Sequence, residues 1–161
     1  LLGDLRGKAT TAISAIKKSD PSFNLTTAVV TDLPALYPMV EASLHPYLEA
    51  AIRNHDITQK ALTEMRAKSL DATWLGSLMT AHHEVLRDLL SITVPRIDQM
   101  IEAALNAGAF GAKIVGSGGG GSIVALSPPD RSNQLCEAIK KAGAIDAFEV
   151  SVAQGSKRIR S

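Results

Sequence analysis

No stretch of this chain constrains its fold more than residues 108–121. Seven of the chain's 12 glycines fall within it: Gly108, Gly111, Gly116, Gly118, Gly119, Gly120 and Gly121. Its centre, Gly116-Ser117-Gly118-Gly119-Gly120-Gly121, lies between two apolar runs. Glycine in or beside a strand costs roughly 0.5–1 kcal/mol relative to alanine in conformational entropy. Four in succession therefore demand a reason. A flexible hairpin tip needs only one or two. A backbone that must approach another group closely, with its N–H groups free to face an anion, makes use of the whole run. The second reading is preferred.

The flanks decide which kind of glycine loop this is. Ala112-Lys113-Ile114-Val115 reads as a short strand. Ser122-Ile123-Val124-Ala125-Leu126 reads as another, its almost continuous apolar run predicting burial on both faces. Gly116-x-Gly118-x-x-Gly121 matches the dinucleotide fingerprint as a string, but that fingerprint needs a helix after the loop, and here a strand follows. No G-x-x-x-x-G-K-[ST] loop occurs, and the spacing from Gly108 to Lys113 does not supply one.

Upstream of Gly108 the periodicity is helical. Leu1, Leu5, Ala9, Ala12, Ile13 and Ile16 line one face, and Ser19-Asp20-Pro21-Ser22 ends that helix. Residues 23–30 fit either strand or extended loop, and Thr31-Asp32-Leu33-Pro34 looks like a helix start. Residues 39–53 are helical in period, with Pro46 predicting a kink or break. Residues 56–67 and 71–90 read as two further helices. Thr93-Val94-Pro95 reads as a capping hydroxyl and a first-turn proline, opening a helix that Gly108 stops. Downstream, Pro128-Pro129-Asp130 opens a helix ending in Lys140-Lys141. Residues 147–152 alternate like a strand, and 157–159 suggest a short edge strand. The expected class is α+β: one domain over 1–161, mainly helical to 107. Strand, loop, strand, helix and strand then form an antiparallel sheet backed by helices.

Composition removes other classes. With 161 residues, 45% hydrophobic and 20% charged, the chain can bury a core without staples. A formal net charge of +1 and 4% aromatics argue against a nucleic-acid binder. One cysteine, Cys136, forms no internal disulfide and fits a reducing compartment, so a cytoplasmic location is expected. No apolar stretch approaches membrane-spanning length, and Leu1-Leu2-Gly3-Asp4 does not resemble a signal peptide. The absence of an initial Met suggests a processed start or a piece of a longer polypeptide.

The stretch Gly108-Ala-Phe-Gly111-Ala-Lys-Ile-Val-Gly116-Ser-Gly-Gly-Gly-Gly121-Ser-Ile-Val-Ala-Leu126 resembles the third conserved motif of the GHMP kinases. That superfamily is named for galactokinase, homoserine kinase, mevalonate kinase and phosphomevalonate kinase. Met79-x-x-x-His83-x-x-Leu86-Arg87-Asp88 and Thr93-x-Pro95-x-Ile97-Asp98 are similar to the galactokinase and sugar 1-kinase branch. Arg53-Asn54-His55-Asp56 resembles it more loosely. The likeness covers roughly residues 50–160. It implies a ferredoxin-like C-terminal domain of a two-domain, ATP- and Mg²⁺-dependent kinase acting on a sugar. Gly116, Ser117, Gly118, Gly119, Gly120 and Gly121 would then line the ATP side of the interdomain cleft. The resemblance also implies an N-terminal domain carrying a Ser/Gly-rich phosphate loop and, in many members, the catalytic Asp. Nothing in this chain matches that loop, so no catalytic residue is assigned within it and the chain alone is expected to be inactive. Many members have Cys after the glycines where this chain has Ser122, a small residue kept. Two alternatives stay open: a mevalonate-type kinase domain, and a stand-alone ferredoxin-like binding module without catalysis.

Other residues are weighed against plainer roles. His82-His83-Glu84 lacks metal-site spacing, and adjacent histidines on a helix diverge by about 100°, so no metal site is expected. One of the two is expected to face the core. By the resemblance His83 is a weak candidate for substrate binding, against a structural hydrogen bond. Arg87-Asp88 reads as a helix-surface pair, and Asp98 as a carboxylate favouring its helix dipole. Cys136 is expected to be buried. Lys113 either reaches a phosphate or is solvated. Lys157-Arg158-Ile159-Arg160 reads as a basic tail.

Overall fold

A computed structural model describes residues 2–116, 119–153 and 155. Helix α1, Leu2–Ser19, presents the expected apolar stripe, with Ala12 and Ile16 fully buried. It ends where Asp20 Oδ1 accepts hydrogen bonds from both the amide and the hydroxyl of Ser22. A loop and a short helix α2, Leu33–Leu36, lead to α3, His45–Met65. One core gathers here, from Ala12, Ile16, Leu33, Leu36, Val40, Leu48 and Ile52.

Of the expected kink or break at Pro46 the structure has the break: Pro46 lies in the first turn of α3 and the regular helix starts there. In the first turn its missing N–H has no intrahelical partner to lose. Two single turns of tighter helix, Tyr37–Met39 and Ala42–Leu44, fill the stretch before it. The helices expected at 39–53 and 56–67 are accordingly one helix. Ion pairs Arg53–Glu49 and Lys60–Asp56, each 2.6 Å and one turn apart, carry it through Asn54 and His55.

Asp71 caps α4, Ala72–Glu84, by accepting the Trp74 amide at 2.9 Å. A five-residue π-helical turn, Val85–Leu89, continues it. Helix α5, Pro95–Asn106, follows, and Gly108 ends it with φ +96°. Its N-cap is Val94, without a side-chain cap. Thr93 therefore does not cap: Pro95 sets the helix start one residue too late for it, and its hydroxyl bonds Asp98 instead.

Strands β1, Gly111–Val115, and β2, Ser122–Leu126, pair antiparallel with Ala112 opposite Ala125 and Ile114 opposite Ile123. Helix α6, Ser132–Lys141, packs on α5. The second core joins Leu86, Ile92, Ile97, Met100, Ile101, Ala104, Ala112, Ile114 and Ile139. The fold is α+β, as expected, with a two-stranded sheet among the described residues.

Three further expectations fail. Residues 147–152 form no strand; Phe148, Val150 and Val152 are exposed, and alternation without a paired edge does not make a ladder. β2 is not buried on both faces, because Val124 lies on the outward face opposite Lys113 and stays 39% exposed. Cys136 is half-buried rather than buried. The edge strand at 157–159 and the basic tail lie outside the described residues.

Candidate glycine-loop site

Helix α4 holds β1 from behind. The backbones of Gly76 and of Phe110-Gly111 touch, so that a Cβ on Gly111 would overlap the Gly76 backbone and one on Gly76 the Phe110 backbone. The Thr80 hydroxyl accepts the Ala112 amide at 3.3 Å. This contact fixes β1, and the β1–β2 pair projects the glycine turn from its far end.

The turn itself has a different reason for glycine. Gly116, Gly119, Gly120 and Gly121 have φ of +90°, +75°, +132° and +100°, a region that L side chains rarely adopt. A Cβ built on any of the four would meet no atom of the described residues within 4 Å. The glycines are needed by the backbone path, and the space beside them is open. Ser117 and Gly118 lie outside the described residues. Among the described residues one amide of the loop is committed: Gly119 N–H donates to Ile92 O at 2.7 Å.

Two clefts flank the loop. The larger, about 770 Å³, has Gly120 and Gly121 on its wall together with β2, α6 and the 143–150 segment. The smaller, about 410 Å³, lies between α1, α3 and the end of α4, and Gly116 reaches its rim. Asn54 and His82 line the smaller cleft, and Asn54 Oδ1 and His82 Nδ1 are buried without a partner among the described residues. Burial, with the nearby charge of Lys113, pushes the His82 pKa down and favours the neutral imidazole. An exposed turn of positive-φ glycines between two clefts can accept a polyanion along its backbone. Its described residues, all glycine, offer no side-chain base or nucleophile.

The other candidates fall into place around the turn. Lys113, half-buried, donates from Nζ to its neighbour's carbonyl Ile114 O at 2.8 Å, and burial lowers its pKa. It is neither fully solvated nor free of partners. Arg87 and Asp88 form a bidentate surface pair at 2.7 and 3.0 Å, as expected. His83 is 1% exposed, and its Nε2 lies 3.1 Å from Asp98 Oδ1. A carboxylate only accepts, so Nε2 carries the proton. That geometry supports the structural hydrogen bond. Asp98 Oδ2 meanwhile accepts from the Thr93 hydroxyl at 3.1 Å. Sequence reasoning took His83, Thr93 and Asp98 one at a time and missed the triad. The signal was present in the spacing of the two motifs, but the capping reading of Thr93 concealed it.

The order of helix, short strand, exposed glycine turn and apolar strand defines the class. The chain belongs to the C-terminal family of the GHMP kinases: the family described as GHMP kinases C terminal matches residues 48–145. Among curated relatives, a galactokinase of Mycobacterium tuberculosis is 39% identical over 79 residues, covering 49% of this chain and 22% of its own length. A galactokinase of Haemophilus influenzae is 37% identical over 122 residues, covering 70% of this chain and 32% of its own length. A mevalonate kinase of Pyrococcus horikoshii is 35% identical over 109 residues, covering 68% and 32%. The chain thus spans a fifth to a third of the length of these relatives. The crystal structure of Lactococcus lactis galactokinase complexed with galactose superposes on 88% of this chain and 36% of its own, with TM-score 0.78 and 22% identity. That likeness is one of fold.

Proposed function

We propose that this chain is the C-terminal domain of an ATP-dependent sugar kinase of galactokinase type. Residues 116–121 line the phosphate side of a cleft closed by an N-terminal GHMP domain of the same polypeptide. The observation that carries the reading is the exposed, positive-φ glycine turn in a fold shared with a galactokinase. Phosphoryl transfer is largely positioning and charge neutralisation, and an open backbone turn with no packed side chain beside it suits both. ATP fits the donor set here, which is backbone N–H. Mg²⁺ supplies charge neutralisation between phosphates in this class of reaction. Its protein ligands and the catalytic carboxylate are assigned to the N-terminal domain as part of the proposal. No helix among the described residues is long and apolar enough to cross a membrane, and a cytoplasmic enzyme is part of the proposal.

The relative named as a mevalonate kinase supports a second reading of the same class. The test is to express the whole coding sequence that contains this chain. ADP release is then followed with ATP and either a panel of hexoses or mevalonate. Turnover with a hexose and not mevalonate is expected. Turnover with mevalonate alone moves the chain to the second reading. No ATP-dependent turnover with any alcohol overturns both and leaves a binding module.

A further inference from the structure

The glycine turn is anchored from outside its own hairpin. Its Gly119 amide is held by the carbonyl of Ile92, in the connection between the π-helical turn and α5. That connection is itself under constraint. Ser91 adopts φ +51°, a left-handed conformation unusual for a residue other than glycine, and such conformations persist only where the surroundings over-determine them. Two ties do so. The Ile92 amide donates back to Leu86 O at 3.1 Å, and the Ile92 side chain is 6% exposed in the second core. On the other side, Thr93 donates to Asp98 Oδ2 while His83 holds Asp98 Oδ1. Asp98 thus has one oxygen fixed by α4 and the other fixing residue 93. The five-residue π-helical turn between His83 and Leu90 is where the regular helix gives way to this arrangement. Such turns are frequent at functional sites.

We propose that His83, Asp98 and Thr93 are positioning residues for the glycine turn. Together they set the Ile92 carbonyl, and through it the Gly119 amide, at the height a bound nucleotide phosphate requires. The consequence for catalysis rests on the kinase reading above; the mechanical coupling does not. None of the three needs to touch a substrate. The buried His83 acts through Asp98, and Asp98 through Thr93.

The experiment uses the whole polypeptide encoded with this chain. Thr93→Val keeps shape and removes the donor, His83→Leu removes the imidazole donor, and His83→Gln restores an N–H at similar reach. Hydrogen exchange is read for the amides at 119–121 against those of β1 and β2, and KM for ATP against KM for the sugar. Thr93→Val and His83→Leu are expected to speed exchange in the turn about tenfold, the loss of roughly one net hydrogen bond, with the strands unchanged. KM for ATP is expected to rise at least about tenfold, as small misplacements near reacting groups do, at constant KM for the sugar. His83→Gln is expected to fall between wild type and His83→Leu. Unchanged exchange in the turn overturns the proposal. So does acceleration of turn and strands together, which marks a structural role alone. A loosened turn with unaltered KM for ATP in an active wild type overturns the catalytic consequence. If the wild type shows no kinase activity, the kinase reading fails, and the exchange comparison alone decides the coupling. If His83→Leu does not fold, Thr93→Val and His83→Gln still decide it.

Discussion

At the Gly111 end of β1 an added side chain would strike the backbone of α4, whereas at the Gly116 end the same atom would meet open space. One strand thus joins two kinds of glycine. Gly76 and Gly111 are small because helix and strand approach until their backbones touch. Gly116, Gly119, Gly120 and Gly121 are small because their φ angles require it, at the edges of two clefts. The first kind serves packing. The second serves the path of the backbone: positive φ at four positions sets where the turn runs, and the Ile92 carbonyl holds it at Gly119.

Substitution by alanine breaks the comparison most directly at the buried end. Gly111→Ala places a methyl group against the Gly76 carbonyl, and both partners are backbone, so no rotamer change relieves it. A loss of at least about 1–3 kcal/mol is expected from overpacking. Gly76→Ala, which would meet the Phe110 backbone, behaves alike. Chemical unfolding of the purified protein reads both. A midpoint equal to wild type would mean that α4 and β1 slide apart freely, and the buried glycines would lose their explanation.

At the open end, Gly120→Ala carries conformational strain without a clash. Its φ of +132° is outside what alanine adopts comfortably. An exposed turn can relax its path, so the stability cost is expected to stay within about 1 kcal/mol, smaller than at Gly111. ATP affinity of the whole protein is expected to fall by about tenfold or more, because the relaxed path moves the amides. Isothermal titration with ATP checks this. Equal losses of stability at Gly111 and Gly120 would erase the distinction between the two kinds.

How much of this was legible beforehand follows from what each signal depends on. The turn, β1, β2, the stop at Gly108 and the α5 start at Pro95 were legible because each is local: glycine, proline and short apolar runs act on their own neighbours. Pro46 signals a kink or a break; the structure has the break, with α3 starting there, because a proline inside a periodic stretch does not say which side of it is helix. Residues 147–152 alternate like a strand, but a strand also needs an edge to pair with, and pattern alone does not supply one. Within the site, glycine identity pointed to the turn. Its anchor did not announce itself, because Ile92 contributes a carbonyl, which every residue has. The His83–Asp98–Thr93 ties join residues whose individual roles, core, dipole and cap, each sufficed on their own.

Acid should act on the helix behind both ends of β1, since His82 and His83 lie in α4. Burial, only partly offset by Asp98, holds the His83 pKa below its ordinary 6.5, and His82 is displaced in the same direction. The unfolded chain therefore takes up protons near that value while the folded chain resists. The stability of the neutral imidazoles is fully present above about pH 6.5 and is lost as pH falls through the folded pKa values. Unfolding midpoints between about pH 7.5 and about pH 5 should decline, and His83→Gln should flatten the decline. A decline of the same steepness in the variant would assign it to other groups.

The smallest effect is expected at the π-helical turn's outer face. Arg87 and Asp88 bind each other at 2.7 Å with side chains 44% and 55% exposed. The pair lowers the Asp88 pKa and raises that of Arg87, but solvent screens it, and such pairs contribute at most about 1 kcal/mol. Arg87→Ala should leave the unfolding midpoint nearly unchanged, and should leave exchange in the glycine turn unchanged too. If the turn is held from the inner side, through Ile92, Thr93 and Asp98, then cutting the outer pair disturbs nothing it rests on. A large rise in turn exchange or in KM for ATP on Arg87→Ala would reverse that. Support would then run along the exposed face, where the guanidinium would be reaching a group outside this chain.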